Sequence, residues 1–385
     1  MTDDVEIPEP DRIPGAPHPR ETAILAGQDA AEQAFLSAWT EGALHHAWLL
    51  TGPEGIGKAT LAWRIARFLI AAPDDGQGGR PGGGPSLFGE APALPRTLDI
   101  DPDHPVSRRL RALSEPRLFL LRRGPNQRGT ALSDVIRVDQ IRALAEFLHL
   151  SAADGGQRVV LVDAADEMNS QAANALLKFL EEPPRRVTFL LVSHRPSALL
   201  PTVRSRCRTL KLSMLDDETL SRAVRATGLG RDGIGPGLTA LAEGSPGRAV
   251  RLLLDDGPRH YDALVTLFAS LPRLDRRRAV DWAERTGRRG ADTEAGMALD
   301  MGLAFLARLA RSGTSPVALP EIVPGEAPLL ARLSPDPAAA RAWADLHATV
   351  SGRIRHGRAV NLDPAALLLD MVLRISETAG RVAAG

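Results

Sequence analysis

Cysteine is almost missing: Cys207 is the only one in 385 residues, so an internal disulfide and a multi-cysteine zinc module are both excluded. Aromatic residues make up 4%, with a single tyrosine, too few for a platform on which nucleic-acid bases stack. Net charge is zero, 47 basic against 47 acidic residues, so no overall basic field advertises a nucleic acid. No apolar run approaches the roughly 18 residues of a membrane span. Residues 1–20 are acidic and hold five prolines (Pro8, Pro10, Pro14, Pro17 and Pro19). They lack the basic start and apolar core of a secretory signal and are expected to be a disordered lead-in of a cytoplasmic protein. Lysine is scarce as well: Lys58, Lys178 and Lys211 are the only three among 47 basic residues. That skew fits genome base composition, and it makes the setting of Lys58 hard to assign to chance.

The chain is too long for one ordinary domain, and 44% hydrophobic residues can build real cores. Helical spacing of Ala31, Phe35, Ala38 and Trp39 predicts a helix over 28–40. Ala47-Trp48-Leu49-Leu50-Thr51 reads as a buried strand, followed by a glycine-rich turn and a helix from Lys58 to Ala71. The stretch 72–96 is rich in glycine and proline without periodicity and is expected to be a flexible insertion. Strands are predicted over 117–121, 158–162, 187–192 and 208–212, and helices over 139–150 and from Asn169 or Ser170 to the Pro183-Pro184 stop. Such alternation means an α/β domain with a parallel sheet covered on both faces. Beyond 212 only helices are visible, including Arg276–Thr286, 298–311 and 364–376. The expected division is a lead-in at 1–20, an α/β domain at 21–212, a small helical domain at 213–256 and an all-α domain at 257–385.

Gly52-Pro53-Glu54-Gly55-Ile56-Gly57-Lys58 follows a strand and opens a helix, the context of a phosphate-binding loop. Backbone N–H groups point into such a turn, the helix N-terminus is partly positive, and the lysine adds a point charge for the outer phosphates. The residue after the lysine should offer a hydroxyl to Mg²⁺. Here it is Ala59, and Thr60 lies about 100° further round the helix. Asp163 ends an apolar strand, where an ATPase of this kind carries its second acid. The glutamate expected next to it is replaced by Ala164; Asp166 and Glu167 follow on a turn whose direction the sequence does not give. A weak or absent intrinsic ATPase is therefore expected.

In this order, the loop at 52–60, Asp163, Asn174-Ala175-Leu176-Leu177-Lys178-Phe179-Leu180-Glu181-Glu182-Pro183-Pro184 and Ser205-Arg206-Cys207 resemble the AAA+ subunits of bacterial DNA polymerase III clamp loaders. His46-Ala47-Trp48, Asp163-Ala164-Ala165-Asp166 and Gly244-Ser245-Pro246-Gly247-Arg248 add to the likeness, which covers residues 22–254 most strongly. The resemblance implies a RecA-like P-loop domain, a helical lid and a helical collar for oligomerisation. It implies a hetero-pentamer with the motor (gamma/tau) and delta subunits that acts on the sliding clamp and primed DNA, with no membrane involved. It makes Arg206, flanked by Ser205 and Cys207, an arginine finger acting in trans on ATP bound next door. It makes Gly52, Gly55, Gly57, Lys58, Thr60, Asp163, Ser193 and Arg248 the subunit's own degenerate nucleotide site.

That site would hold ATP or ADP weakly if at all. The four zinc-binding cysteines of many relatives are absent from 71–116, so no zinc is expected. Each assignment has a plainer counterpart. Arg206 also suits a surface arginine paired with a carboxylate, Arg248 a solvated helix-start residue, and Cys207 a small packing residue. The arginines at 108, 109, 111, 117, 122, 123 and 128 could meet DNA phosphate or simply form a solvated surface. Two other functions stay open, a competent gamma/tau-like motor and a DNA-binding scaffold with a relic P-loop.

Overall fold

The computed structural model describes residues 9–22, 24–72, 95–126, 132–149, 156–230 and 233–384. The insertion expected at 72–96 falls, but for its ends, outside them. Two compact units emerge among the described residues. One runs to Gly228 and takes in Ser245–Gly247; the other holds Leu229–Gly244 and the chain from Arg248 onward.

The first unit is built on five strands: β1 (Ala47–Thr51), β2 (Leu118–Leu121), β3 (Arg158–Val162), β4 (Val187–Ser193) and β5 (Arg208–Lys211). They pair in the order β2-β3-β4-β1-β5, and all four pairings are parallel. Parallel neighbours need crossovers, which the helices α2 (Lys58–Ala71), α3 (Pro105–Arg111), α4 (Val138–His149), α5 (Ser170–Glu181) and α6 (Pro201–Arg204) supply; α1 (Asp29–Thr40) precedes β1 and α7 (Asp217–Ala226) follows β5. The strands are apolar on both faces because both faces are covered. Trp48, Leu50, Val159, Leu161, Leu190 and Val192 pack with α1, α2 and α3. Their alternates Ala47, Leu49, Val160, Val162, Phe189 and Leu191 pack with α4, α5 and α6. Asn169 caps α5, its side chain accepting from the Ala172 amide at 2.8 Å, so the predicted start of that helix holds.

The lead-in expected to be disordered over 1–20 is ordered from Glu9 onward. Glu9 receives Arg20 Nη1 at 2.7 Å and Arg122 Nη2 at 3.1 Å, and Asp11 receives Arg122 Nη1 at 2.5 Å. His18 is fully buried, 3.0 Å from Asp11, with its ring edge-on to Trp63. The acids of the segment meet Arg20 within it and Arg122 far along the chain.

The second unit is helical: α8 (Pro236–Ala242), α9 (Pro246–Leu254, from Arg248), α10 (Gly257–Phe268), α11 (Arg276–Thr286), α12 (Asp292–Ser312), α13 (Glu326–Leu333), α14 (Pro337–Ala359) and α15 (Pro364–Ala384). α12 is central, packing on α10, α13, α14 and α15. Glu326, wholly buried, accepts from Tyr261 Oη at 2.5 Å, from Arg308 Nε at 2.5 Å and from the Ile322 amide at 2.7 Å, fixing α13 to α10 and α12.

Candidate nucleotide-binding site

β1 delivers the chain at Thr51 into a loop whose glycines do work no other residue could do. Gly52, Gly55 and Gly57 have φ of 141°, 76° and 99°. At Gly52 a Cβ would stand 2.5 Å from Ile56 Cδ1 and 2.7 Å from the Leu212 carbonyl oxygen. Lys58 opens α2 with its side chain folded back over the loop, the ammonium donating to the carbonyl oxygens of Gly52 at 2.8 Å and Pro53 at 2.5 Å. It is only 3% exposed, and burial lowers its pKa to about 8 against the opposing pull of Glu54, Asp166 and Asp163.

The strand order sets β4 between the loop strand and the strand that ends at Asp163. Thr51 pairs with Ser193 and Val162 with Leu191, so Lys58, Ser193 and Asp163 gather at one end of the sheet. Ser193 is fully buried. Asp163 accepts from the Ala164 amide at 3.1 Å through Oδ1, while the buried Oδ2 has no hydrogen-bond partner among the described residues. Burial, reinforced by the charge of Asp11, pushes its pKa up to about 6.

Two residues that the sequence did not assign to the site belong here: Asp166, whose direction it left open, and His194. Asp166, on a single turn at Ala165–Glu167, accepts from the His194 amide at 3.0 Å and faces Arg195 Nε at 3.4 Å. His194 follows Ser193, and its pKa is lowered by burial and then by the charge of Lys58. The spacing of Asp166 from Asp163 was the available signal for the first; nothing marked the second.

The loop glycines and the buried lysine fit a polyphosphate. A divalent metal lacks one usual ligand here, because Ala59 brings a methyl group where a hydroxyl is needed. Among the described residues no group of three His, Cys, Asp or Glu side chains could hold a metal ion.

Ser245-Pro246-Gly247 lies against the same loop. Ser245 Oγ donates to the Glu54 carbonyl at 2.9 Å and the Gly247 amide to the Gly55 carbonyl at 2.8 Å. A Cβ at Gly247 would come within 2.8 Å of Gly55 Cα, which explains the glycine of that string. Arg248 pairs inside the second unit with Glu243 at 2.7 Å.

Arg206 lies elsewhere. It precedes β5 by two residues, and Arg208 pairs with Trp48 at the beginning of β1. The P-loop leaves the other end of that strand, about 16 Å away along five residues of parallel sheet. The guanidinium is 35% exposed and meets Glu181 at 2.7 Å. Ser205 Oγ donates to the Thr202 carbonyl at 3.1 Å, and burial pushes the Cys207 thiol up to about 12, as befits a packing residue.

The basic stretch at 107–128 is largely spent inside its own fold: Arg109 and Arg117 on Glu115, Arg122 on Glu9 and Asp11, and Arg123 on Glu167. Arg128 lies outside the described residues.

A parallel sheet of this order with a glycine loop and lysine at β1 defines a P-loop domain of the AAA+ type. Residues 101–216 match the family model described as DNA polymerase III, delta subunit. The chain is 40% identical over 177 residues to the DNA polymerase III subunit delta' of Pseudomonas aeruginosa, covering 46% of each, and 29% identical over 245 residues to that of Escherichia coli, covering 63% of this chain and 64% of that one. The gamma/tau subunit of Mycobacterium tuberculosis is 29% identical over 217 residues, 56% of this chain and 32% of its own. The chain is thus similar to delta-prime and to gamma/tau subunits of DNA polymerase III, with the higher identity to a delta-prime subunit among these. The chain spans about half to just under two thirds of the delta-prime relatives it matches.

Proposed function

We propose that this protein is a delta-prime-like subunit of a bacterial clamp loader, silent as an ATPase, that lends Arg206 to a neighbouring subunit. In this reading 21–212 is the P-loop domain, 213–256 serves as lid, and 257–385 as collar in a hetero-pentamer with gamma/tau motors and delta. The assembly opens the sliding clamp and sets it on primed DNA in the cytoplasm. The chain's own loop holds ATP or ADP weakly as a structural ligand, with Thr60 and Ser193 of the same unit in attendance, and needs no zinc.

One observation carries the reading: Arg206 stands at the end of the sheet opposite its own phosphate loop. A permanently charged, forked guanidinium exposed there cannot serve the nucleotide of its own chain, yet it is suited to phosphate oxygens presented by another. Ala59 and Ala164 supply the complementary half, since a chain without metal ligand and water-polarising acid gains nothing from a finger of its own.

The test is reconstitution with the motor and delta subunits, the clamp and primed DNA. Arg206→Ala should cut turnover at the one dependent site by about 100-fold or more, as fingers given in trans do, and slow clamp loading with it. Unchanged turnover and loading would sink the proposal. So would Mg²⁺-dependent hydrolysis by the isolated chain at about 1 s⁻¹, a rate within the ordinary enzyme range, that Lys58→Ala abolishes.

A further inference from the structure

Arg206 is gripped from two sides before any partner arrives. Its Nη2 lies 2.7 Å from Oε1 of Glu181, the last residue of α5, and its Nη1 donates to the Thr202 carbonyl of α6 at 3.0 Å. α5 and α6 pack against one another, so the two holds belong to one rigid corner. A guanidinium carries five N–H donors in a plane. Glu181 and the Thr202 carbonyl take one each, Nη1 also lies 3.5 Å from Ser205 Oγ, and the remaining donors are left to other acceptors.

The pair is poorly placed to serve stability. Glu181 is 49% exposed and Arg206 35%, and ion pairs this open to water contribute little to folding. What the contact does is orient. A free arginine samples many rotamers and must surrender them on binding. Here a carboxylate at the negative end of the α5 dipole holds one edge of the fork, and a backbone carbonyl holds another. The sequence places that acid with economy, since Glu181 is the residue at which α5 ends, before Glu182 and the Pro183-Pro184 stop.

We infer that Glu181 is the positioning residue of the finger: it fixes the plane of the Arg206 guanidinium so that the remaining donors meet a phosphate held by the neighbouring subunit. This inference rests on the trans-acting role of Arg206. Glu181 touches no nucleotide and acts only through the arginine.

In the reconstituted complex, Glu181→Ala should lower turnover at the dependent site on the order of tenfold, the cost of ordering one rotamer-rich side chain anew. KM for ATP should not move, and Glu181→Asp should restore part of the loss. Combined with Arg206→Ala, Glu181→Ala should lower turnover no further. A rise in turnover would overturn the inference, because Glu181 would then restrain the arginine rather than present it. An undiminished loss in the Arg206→Ala background would overturn it too. If Arg206→Ala lowers turnover and Glu181→Ala does not, the positioning role alone fails; if Arg206→Ala itself has no effect, the finger reading falls and this inference with it.

Discussion

Lys58 and Asp163 each hold a charge that burial opposes, and each therefore makes stability depend on pH. The folded pKa of Lys58, about 8, lies below the 10.5 of a free lysine, so between those values the unfolded chain binds more protons and stability rises with pH. Near neutrality the buried ammonium carries its full penalty, on the order of 2–3 kcal/mol. Lys58→Met should raise the melting temperature at pH 7, lose that advantage above pH 10.5, and abolish any thermal stabilisation by pyrophosphate. Asp163 runs the other way. Its folded pKa is raised from 3.8 to about 6, so the folded state keeps a proton the unfolded chain has lost, and stability falls as pH rises through that window. Asp163→Asn, which keeps the acceptor for the Ala164 amide, should stabilise the protein by about 2–3 kcal/mol at pH 8 and leave it unchanged at pH 3.5. A gain equal at both pH values would refute the assignment. Lys58 and Asp163 were legible in the sequence because a strand, a turn and a helix start are local patterns. Asp166 was not, since its direction depends on a single turn of helix and on β4 arriving beside it.

At the scale of elements, the predicted strands stand within a residue or two of their places, since both-faced burial writes an unbroken apolar run. The helix α3 went unread: it is seven residues long, starts on Pro105 behind a His104 cap, and shows no period. Glu9 to Arg20 went unread for a different reason. Acids and prolines signal solvation unless distant arginines are known to meet them, and the partner Arg122 lies 111 residues from Asp11. The same lesson holds for Glu326, an exposed residue by composition that is the hub of three helices. Glu326→Gln leaves Arg308 buried without its counter-charge and should cost about 3–5 kcal/mol. Tyr261→Phe, which removes one hydrogen bond from the same carboxylate, should cost about 1–2 kcal/mol. Urea unfolding followed by far-ultraviolet circular dichroism checks both, and equal costs would mean that Arg308 does not depend on Glu326.

The whole molecule places an α/β core and an all-helical core in one chain, each closed by its own buried residues. Two-state behaviour is the habit of single small domains, and a chain of this construction is expected to depart from it. Calorimetry should resolve two transitions, and the variants assign them. Lys58→Met should raise the transition of the α/β unit and leave the other in place, because its effect is the relief of one desolvated ammonium inside that core. Glu326→Gln should lower the helical unit's transition and leave the first. The Ser245–Gly247 turn sharpens the expectation, since its hydrogen bonds to the Glu54 and Gly55 carbonyls count it with the α/β unit although helices of the other unit flank it. Gly247→Ala, pressing a methyl against Gly55, should therefore lower the α/β transition rather than the helical one, and a shift of the helical transition alone would show that the turn draws its stability from the other side.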